Sequence, residues 1–489
     1  MNRPSAFAAR SHRCWALLLA VATAGLPGDI SAVDTTQSDG APLHHYVLPN
    51  GLQVWHIERP DSALVAMVVD VRVGSRDETE ANGGIAHFLE HYVHSGTRRW
   101  NVAEIAKMRD RLGGYGNATT TREHTRYYRE TLPDQFDASL ELLAETTMHP
   151  SLPPERLEVE RQVVLRENKG RDEPLMALWE RLGVGGIDEG QLLRRLFSGS
   201  TLYQHPSGAT SSLSTIDVPA LRAFHQTHYR PNNATVVVSG GIDPAGVKAA
   251  VERYFGDWPS GTLPDPPTSP APAESLPIRI VQRGAVMEHQ GEIWVGARTV
   301  SADDGQQVGL DVLAQLLQRR LHERLRTQEG LVYAVFAEPR YWSDAGEFRI
   351  GARAAPEHLA RIEAVIGEEL AAIASQTVSA EELDLAKRVV LTTRALRIDR
   401  NLDRAFELLE RNGDKGGDPP PDFRQQIDAV RADAIQGLAR TYLGAESRYT
   451  VLHQPWMTGR RLRWVLAVVT VIVAVWLTAR RFLRRRAAA

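Results

Sequence analysis

The chain has 489 residues, 43% hydrophobic and 24% charged, with 57 basic and 60 acidic side chains giving a formal net charge of −3. That balance excludes a nucleic-acid binder of the basic-stripe kind, and the apolar content excludes a disordered chain. The length suffices for two sizeable domains, and the lone cysteine, Cys14, excludes a disulfide framework.

At the N-terminus, Arg3, Arg10 and Arg13 precede an apolar block from Trp15 to Leu26, followed by small residues around Ser31-Ala32. No acidic residue occurs before Asp29. This order predicts a secretory signal peptide over 1–32. A mitochondrial transit peptide shares the arginines, but it is amphipathic, whereas this block is continuous. Cys14 sits before the block and after Ser11-His12-Arg13, a poor context for lipid attachment.

Strand-like runs follow at His45–Leu48, Leu52–Trp55 and Leu64–Val73, with Asn50-Gly51 as a turn. The next segment reads His87-Phe88-Leu89-Glu90-His91. On a helix, residues four apart project from one face, so His87 and His91 can grip one metal ion. Glu90 lies close to that face without being needed as a ligand, where a free carboxylate can take a proton from an activated water. The order inverts that of the common zinc-protease motif, and it points to a peptidase site. A catalytic zinc takes three protein ligands, so one must come from elsewhere. Glu160 and Glu167, two helical turns apart, share a face and are candidates.

Helical patterns run over Ala103–Leu112 and Phe136–Met148, with strand-like Thr125–Thr131 between them and Ala234–Ser239 closing the half. The proline-rich stretch from Trp258 to Pro272 has no apolar period and reads as an extended linker. The second half repeats the order: strand Glu292–Ala297, helix Gln307–Arg324, strands Val332–Phe336 and Glu347–Ala352, helices from Pro356, and strand Tyr449–Leu452. Sheet plus covering helices in each half is α+β.

Near the C-terminus, Trp464–Ala479 is apolar all round. Sixteen residues give about 24 Å of helix, and Leu462 with snorkelling Arg463 and Arg480 extends the reach across a membrane. Five arginines follow (Arg480, Arg481, Arg484, Arg485, Arg486) against three before (Arg460, Arg461, Arg463). The positive-inside rule places the tail in the cytoplasm and the body outside, in a bacterial periplasm at the inner membrane.

The run Gly84-Ile85-Ala86-His87-Phe88-Leu89-Glu90-His91-Tyr92-Val93-His94-Ser95-Gly96-Thr97 resembles the signature of the insulinase/pitrilysin (inverzincin) family of zinc peptidases, which includes the mitochondrial processing peptidase. The segment Glu160-Arg161-Gln162-Val163-Val164-Leu165-Arg166-Glu167 resembles the family's distal glutamate segment, with Glu167 76 residues beyond His91. By this resemblance His87, His91 and Glu167 bind one Zn2+ per chain, Glu90 is the general base, and Glu160 is a supporting acid for the ligand histidines. Gly113–Thr121 resembles the family's edge strand, which implies pairing of Asn117 and Ala118 with substrate backbone. Arg326 and Tyr333 resemble the family's substrate-contacting pair, the tyrosine helping to stabilise an oxyanion.

Two departures stand out. His94 replaces a usual aromatic. It stands i+7 from His87, about 10.5 Å along a helix, too far for both to hold one ion. A His91/His94 pair stays open, and His94 is expected instead to line the pocket and alter specificity. The glycine-rich loop of many relatives is missing from Gln315–Leu321.

The resemblance spans about Tyr46 to Pro455. It implies two similar α/β-sandwich domains of the processing-peptidase type, at 42–257 and 278–456, joined by a linker at 258–277 and followed by an anchor and tail at 460–489. The second domain carries no H-x-x-E-H and so no metal. The reading is a membrane-tethered zinc endopeptidase acting on peptides or unfolded polypeptide segments. A homodimer, or a heterodimer with a metal-free sister chain, is implied. The alternative is a non-catalytic structural or regulatory subunit.

Overall fold

The computed structural model describes residues 33–36, 40–168, 187–271, 275–284, 290–412, 421–457 and 459–487. The signal-peptide expectation over 1–32 lies outside the described residues.

The first sheet has seven strands: β1 (Val33–Thr36), β2 (Pro42–Val47), β3 (Gln53–Glu58), β4 (Val65–Val71), β5 (Tyr115–Thr120), β6 (Thr125–Thr131) and β7 (Ala234–Gly240). Their order is β1-β2-β3-β7-β4-β6-β5, with β3 and β7 parallel and the other pairs antiparallel. The apolar runs of β4 and β7 are buried along their whole length, as central strands covered on both faces must be. β5 ends the order, so its outer edge carries no partner strand among the described residues.

Four helices frame the site: α1 (Ile85–Tyr92), α2 (Val102–Leu112), α3 (Phe136–Met148) and α4 (Leu157–Glu167). Asn101 starts α2 with a capping box: its side chain accepts from Ala103 and Glu104 N–H, and Glu104 accepts from Asn101 N–H. Gly84 starts α1 at φ +91°, where a Cβ would stand 2.9 Å from both Gly208 Cα and Leu213 Cδ2. Only glycine fits there.

The second sheet orders β10 (Val332–Tyr341), β11 (Gly346–Ala354), β9 (Gly291–Thr299), β12 (Arg448–Pro455) and β8 (Ile278–Gly284). One face packs on the helices Gln307–Leu321, Leu359–Ser375, Ala380–Arg397 and Ala432–Tyr442. Helix Gln307–Leu321 passes into a wider π turn over His322–Gln328, so the helix expected to reach Arg324 changes pitch three residues earlier.

The packing does not follow the contiguous division at the proline-rich linker. Helix Asn401–Asn412, from the second half, covers the first sheet: Leu402, Ala405, Leu408 and Leu409 pack on Leu43, Trp55, Ile57, Ala66, Val68 and Val237. In return, Leu192, Leu193 and Leu196 of helix Glu189–Leu196 pack on Ile278, Ile280, Tyr449 and Val451 of the second sheet. Each half lends a helix to the other, because a sheet face must be buried by whichever amphipathic helix reaches it.

An ion cluster joins the halves near the site. Arg76, almost wholly buried, forks onto Asp344 (2.9 and 2.8 Å) and Glu123 (2.5 Å). Glu189 accepts from Arg122 (2.6 Å), Arg340 (2.5 Å) and Arg349 (2.9 Å).

The C-terminal helix runs from Gly459 to Ala487. Its stretch Leu462–Arg480 is long and apolar enough to cross a membrane and is not buried among the described residues.

Candidate metal centre

α1 carries the H-x-x-E-H run across the first sheet near β5 and β6, with α4 beside it. His87 Nε2 and His91 Nε2 stand 3.2 Å apart. Glu167 Oε2, from the last residue of α4, lies 3.3 Å from His91 Nε2 and 3.5 Å from His87 Nε2. Donor atoms about 2.0–2.1 Å from a tetrahedral zinc stand about 3.3–3.4 Å apart, so this triangle has the size of a zinc coordination face. Burial, with the His91 and His205 charges, holds the His87 ring down at about 4. The ring is therefore neutral at physiological pH, the form that ligates. Two imidazoles and a carboxylate are a fitting donor set for zinc. His87 Nδ1 is buried without a hydrogen-bond partner among the described residues.

Glu90 is also within 4.8 Å of the two histidines. Its carboxylate is otherwise engaged, with Oε2 accepting from Thr120 Oγ1 of β5 at 2.6 Å. Burial raises its pKa, against the Thr120 hydrogen bond and the His91 charge. Half-exposed Glu167 completes the triangle, and buried Glu90 is held beside it.

Glu160 makes no hydrogen bond or ion pair with His87 or His91 among the described residues. Its Oε1 accepts from Ser95 Oγ (2.7 Å) and Arg156 Nη2 (2.7 Å), tying α4 to the turn that follows α1. The helical face it shares with Glu167 is real, but its own turn of α4 meets the far end of α1. His94 is turned onto β6. α1 ends at Tyr92 and Val93–Ser95 tightens to a 3-10 turn, leaving the His94 ring edge-on to Tyr127 at 5.9 Å. Burial, with the Arg109, His91 and Arg129 charges, pushes His94 down to about 3.

Asn117 is exposed and Ala118 half-buried on β5, paired with Tyr128 and Tyr127. Arg326 lies on the π turn with its guanidinium 5.3 Å from the ring of Tyr333, which is 84% exposed on β10. No hydrogen bond or ion pair joins this pair to α1 among the described residues.

Two residues escape motif reading. Thr120 is one. The other is Glu78, 3% exposed, which accepts from Gly84 N–H (2.7 Å) and Ala86 N–H (2.9 Å) and so holds the first turn of α1. Burial pushes its carboxyl up to about 8, and the two amides oppose the rise. An acid a few residues before a glycine-led helix is the only sequence sign of it.

Paired helix-borne histidines, a distal glutamate and a held second carboxylate on a two-sheet fold have the arrangement that a zinc-peptidase site would require. The insulinase (peptidase family M16) model matches residues 53–182, and the peptidase M16 inactive-domain model matches 215–390. The chain belongs to this family, as a half-length member. The metal motif lies in the segment matched by the first model, and the second model covers the sequence lacking it. An uncharacterized zinc protease of Mycobacterium leprae is 30% identical over 348 residues, 70% of this chain and 75% of its own. The fold resembles a crystal structure of a protease from Helicobacter pylori (TM-score 0.72, 24% identity, covering 85% of this chain and all of that one). It also resembles the first half of the periplasmic protease PqqL from Escherichia coli (TM-score 0.68, 18% identity, 87% and 93% covered).

Proposed function

We propose that this chain is a zinc endopeptidase, tethered to a membrane by its C-terminal helix, that hydrolyses peptides or unfolded polypeptide segments. The observation carrying this reading is the 3.2–3.5 Å triangle of His87, His91 and Glu167 with Glu90 beside it. His87, His91 and Glu167 would hold the zinc, which when bound supplies the Lewis acidity that activates water and the scissile carbonyl.

Glu90 takes the proton from the attacking water and returns it to the leaving amine. Thr120 fixes one of its carboxylate oxygens and leaves the other for that exchange. The open edge of β5, with Asn117 and Ala118, offers backbone groups to an extended substrate, giving sequence-tolerant binding. Arg326 and Tyr333 are assigned to the substrate by the family resemblance, Tyr333 toward the oxyanion. Glu160 steadies the helix pair through Ser95.

The exposed apolar helix and its flanking arginines support a body outside the cytoplasmic membrane of a bacterium, with the tail inside. One metal site in two domains supports a dimer, with itself or a metal-free sister chain. The sequence divisions 42–257, 258–277 and 278–456 serve as proposed domain limits, with the two crossing helices exchanged.

The test is Glu90→Gln. It should keep zinc and lose peptidase turnover, whereas His87→Ala, His91→Ala and Glu167→Gln should lose both. Zinc content by atomic absorption and cleavage of a quenched-fluorescent peptide read the two. A wild-type protein that binds no zinc would instead favour the non-catalytic subunit.

A further inference from the structure

β5 and β6 are in register Thr120↔Thr125, Ala118↔Tyr127 and Gly116↔Arg129, so side chains at 125, 127 and 129 share one face. At the first step Thr120 holds Glu90. At the second, His94 packs on Tyr127. At the third stands Arg129, about 13 Å along the strand from Thr125. The face that presents the general base therefore continues past His94 to an arginine.

Arg129 is 4% exposed, yet it makes no ion pair among the described residues. Nη2 donates to the Gly113 carbonyl at 2.8 Å, and buried Nε has no partner. A buried guanidinium without a counter-ion is costly. Its contact with the end of α2 accounts for one nitrogen only. Arg109, exposed in the last turn of α2, is likewise without an acidic partner among the described residues, and its charge bears on both His94 and Arg129. Gly116 is the strand residue over this arginine, where a Cβ would stand 2.8 Å from Arg129 Nη1. Two cations, with a neutral imidazole beside them, thus stand next to the proposed substrate edge without an acidic partner among the described residues.

We infer that Arg129 and Arg109, with His94, form an anion-binding subsite that takes an aspartate or glutamate side chain of the substrate, a few residues from the scissile bond on the Gly116 side of β5. This rests on the peptidase reading above. A carboxylate entering beside Gly116 gains charge-assisted hydrogen bonds from Arg129, and Arg109 adds its field at the mouth.

The experiment compares quenched peptides that differ only by glutamate against glutamine, scanned across the positions on both sides of the cut. For the full-length enzyme, kcat/KM should favour glutamate at least tenfold at one position, less so at high salt. In Arg129→Gln and in Arg109→Gln the glutamate-to-glutamine ratio should fall to about one, whatever happens to the absolute rate. Arg109 is exposed, so its variant tests the subsite even if Arg129→Gln folds poorly. Equal rates for both peptides at every position, or a preference that survives Arg109→Gln in folded protein, overturn the inference. Binding of the same labelled peptides to Glu90→Gln separates the two readings. An arginine-dependent preference in binding without cleavage by the wild type sinks the peptidase reading and keeps the subsite. Cleavage without charge preference does the reverse, and neither binding nor cleavage sinks both.

Discussion

Replacing Arg76 by methionine tests how the second half supports the metal helix. The Arg76 side chain is 3% exposed and makes two contacts to Asp344 and one at 2.5 Å to Glu123. Breaking a buried pair costs about 3–5 kcal/mol. Here the acids retain some water, at 17% and 21% side-chain exposure, and Glu123 keeps Ser343 N–H and Oγ as donors. With that solvent screening the loss should be about 2–3 kcal/mol. Urea denaturation followed by circular dichroism should show a lower midpoint at unchanged slope. Arg76→Lys keeps the charge without the fork and should recover about half of the loss. Glu78, two residues on, holds α1, so zinc affinity should fall along with stability. A loss below about 1 kcal/mol would refute the idea that this cluster carries packing between the halves.

Leu408→Ala, in the helix that crosses to the first sheet, should cost about 2–5 kcal/mol in the same assay although it lies in the second half. A cost under about 1 kcal/mol would speak against the exchanged helix. The buried Asp70 links to His124 (3.0 Å) and Arg126 (2.9 Å). Burial raises Asp70, but the His124 and Arg126 charges and hydrogen bonds outweigh it and hold the carboxyl well below its usual 3.8. For His124 burial lowers the value and Asp70 raises it above 6.5. The Asp70 contribution is present above pH 3.8 and lost as pH falls through its depressed value; that of His124 is present below 6.5 and lost as pH rises through its raised value. Stability should peak between these limits, and His124→Gln should flatten the decline on the alkaline side. Deleting Leu462 onward should release the protein from membranes with zinc binding intact, and persistent sedimentation with vesicles would count against the anchor.

The sequence by itself determined what depends on short-range geometry. His87 and His91 are paired by the helical repeat alone, the strands β4 and β7 announce themselves as apolar runs, Phe136–Met148 keeps its limits, and Trp464–Ala479 reads as a span from length and composition. These follow from backbone hydrogen bonding and from side-chain period, which operate over a few residues.

Only the tertiary structure decided which distant groups meet. Glu167 stands beside His91 because α4 packs on α1, while Glu160, on the same helical face, is carried to Ser95 instead. His94 follows the H-x-x-E-H run closely enough to seem part of its face, yet α1 ends two residues earlier and the ring turns onto Tyr127. Thr120 reaches Glu90 through strand register, Arg129 is buried without a counter-ion among the described residues, and two helices trade sheets across a linker that looked like a boundary. Such contacts are chosen by burial of whole faces against one another, and the chain's local preferences do not encode which face arrives.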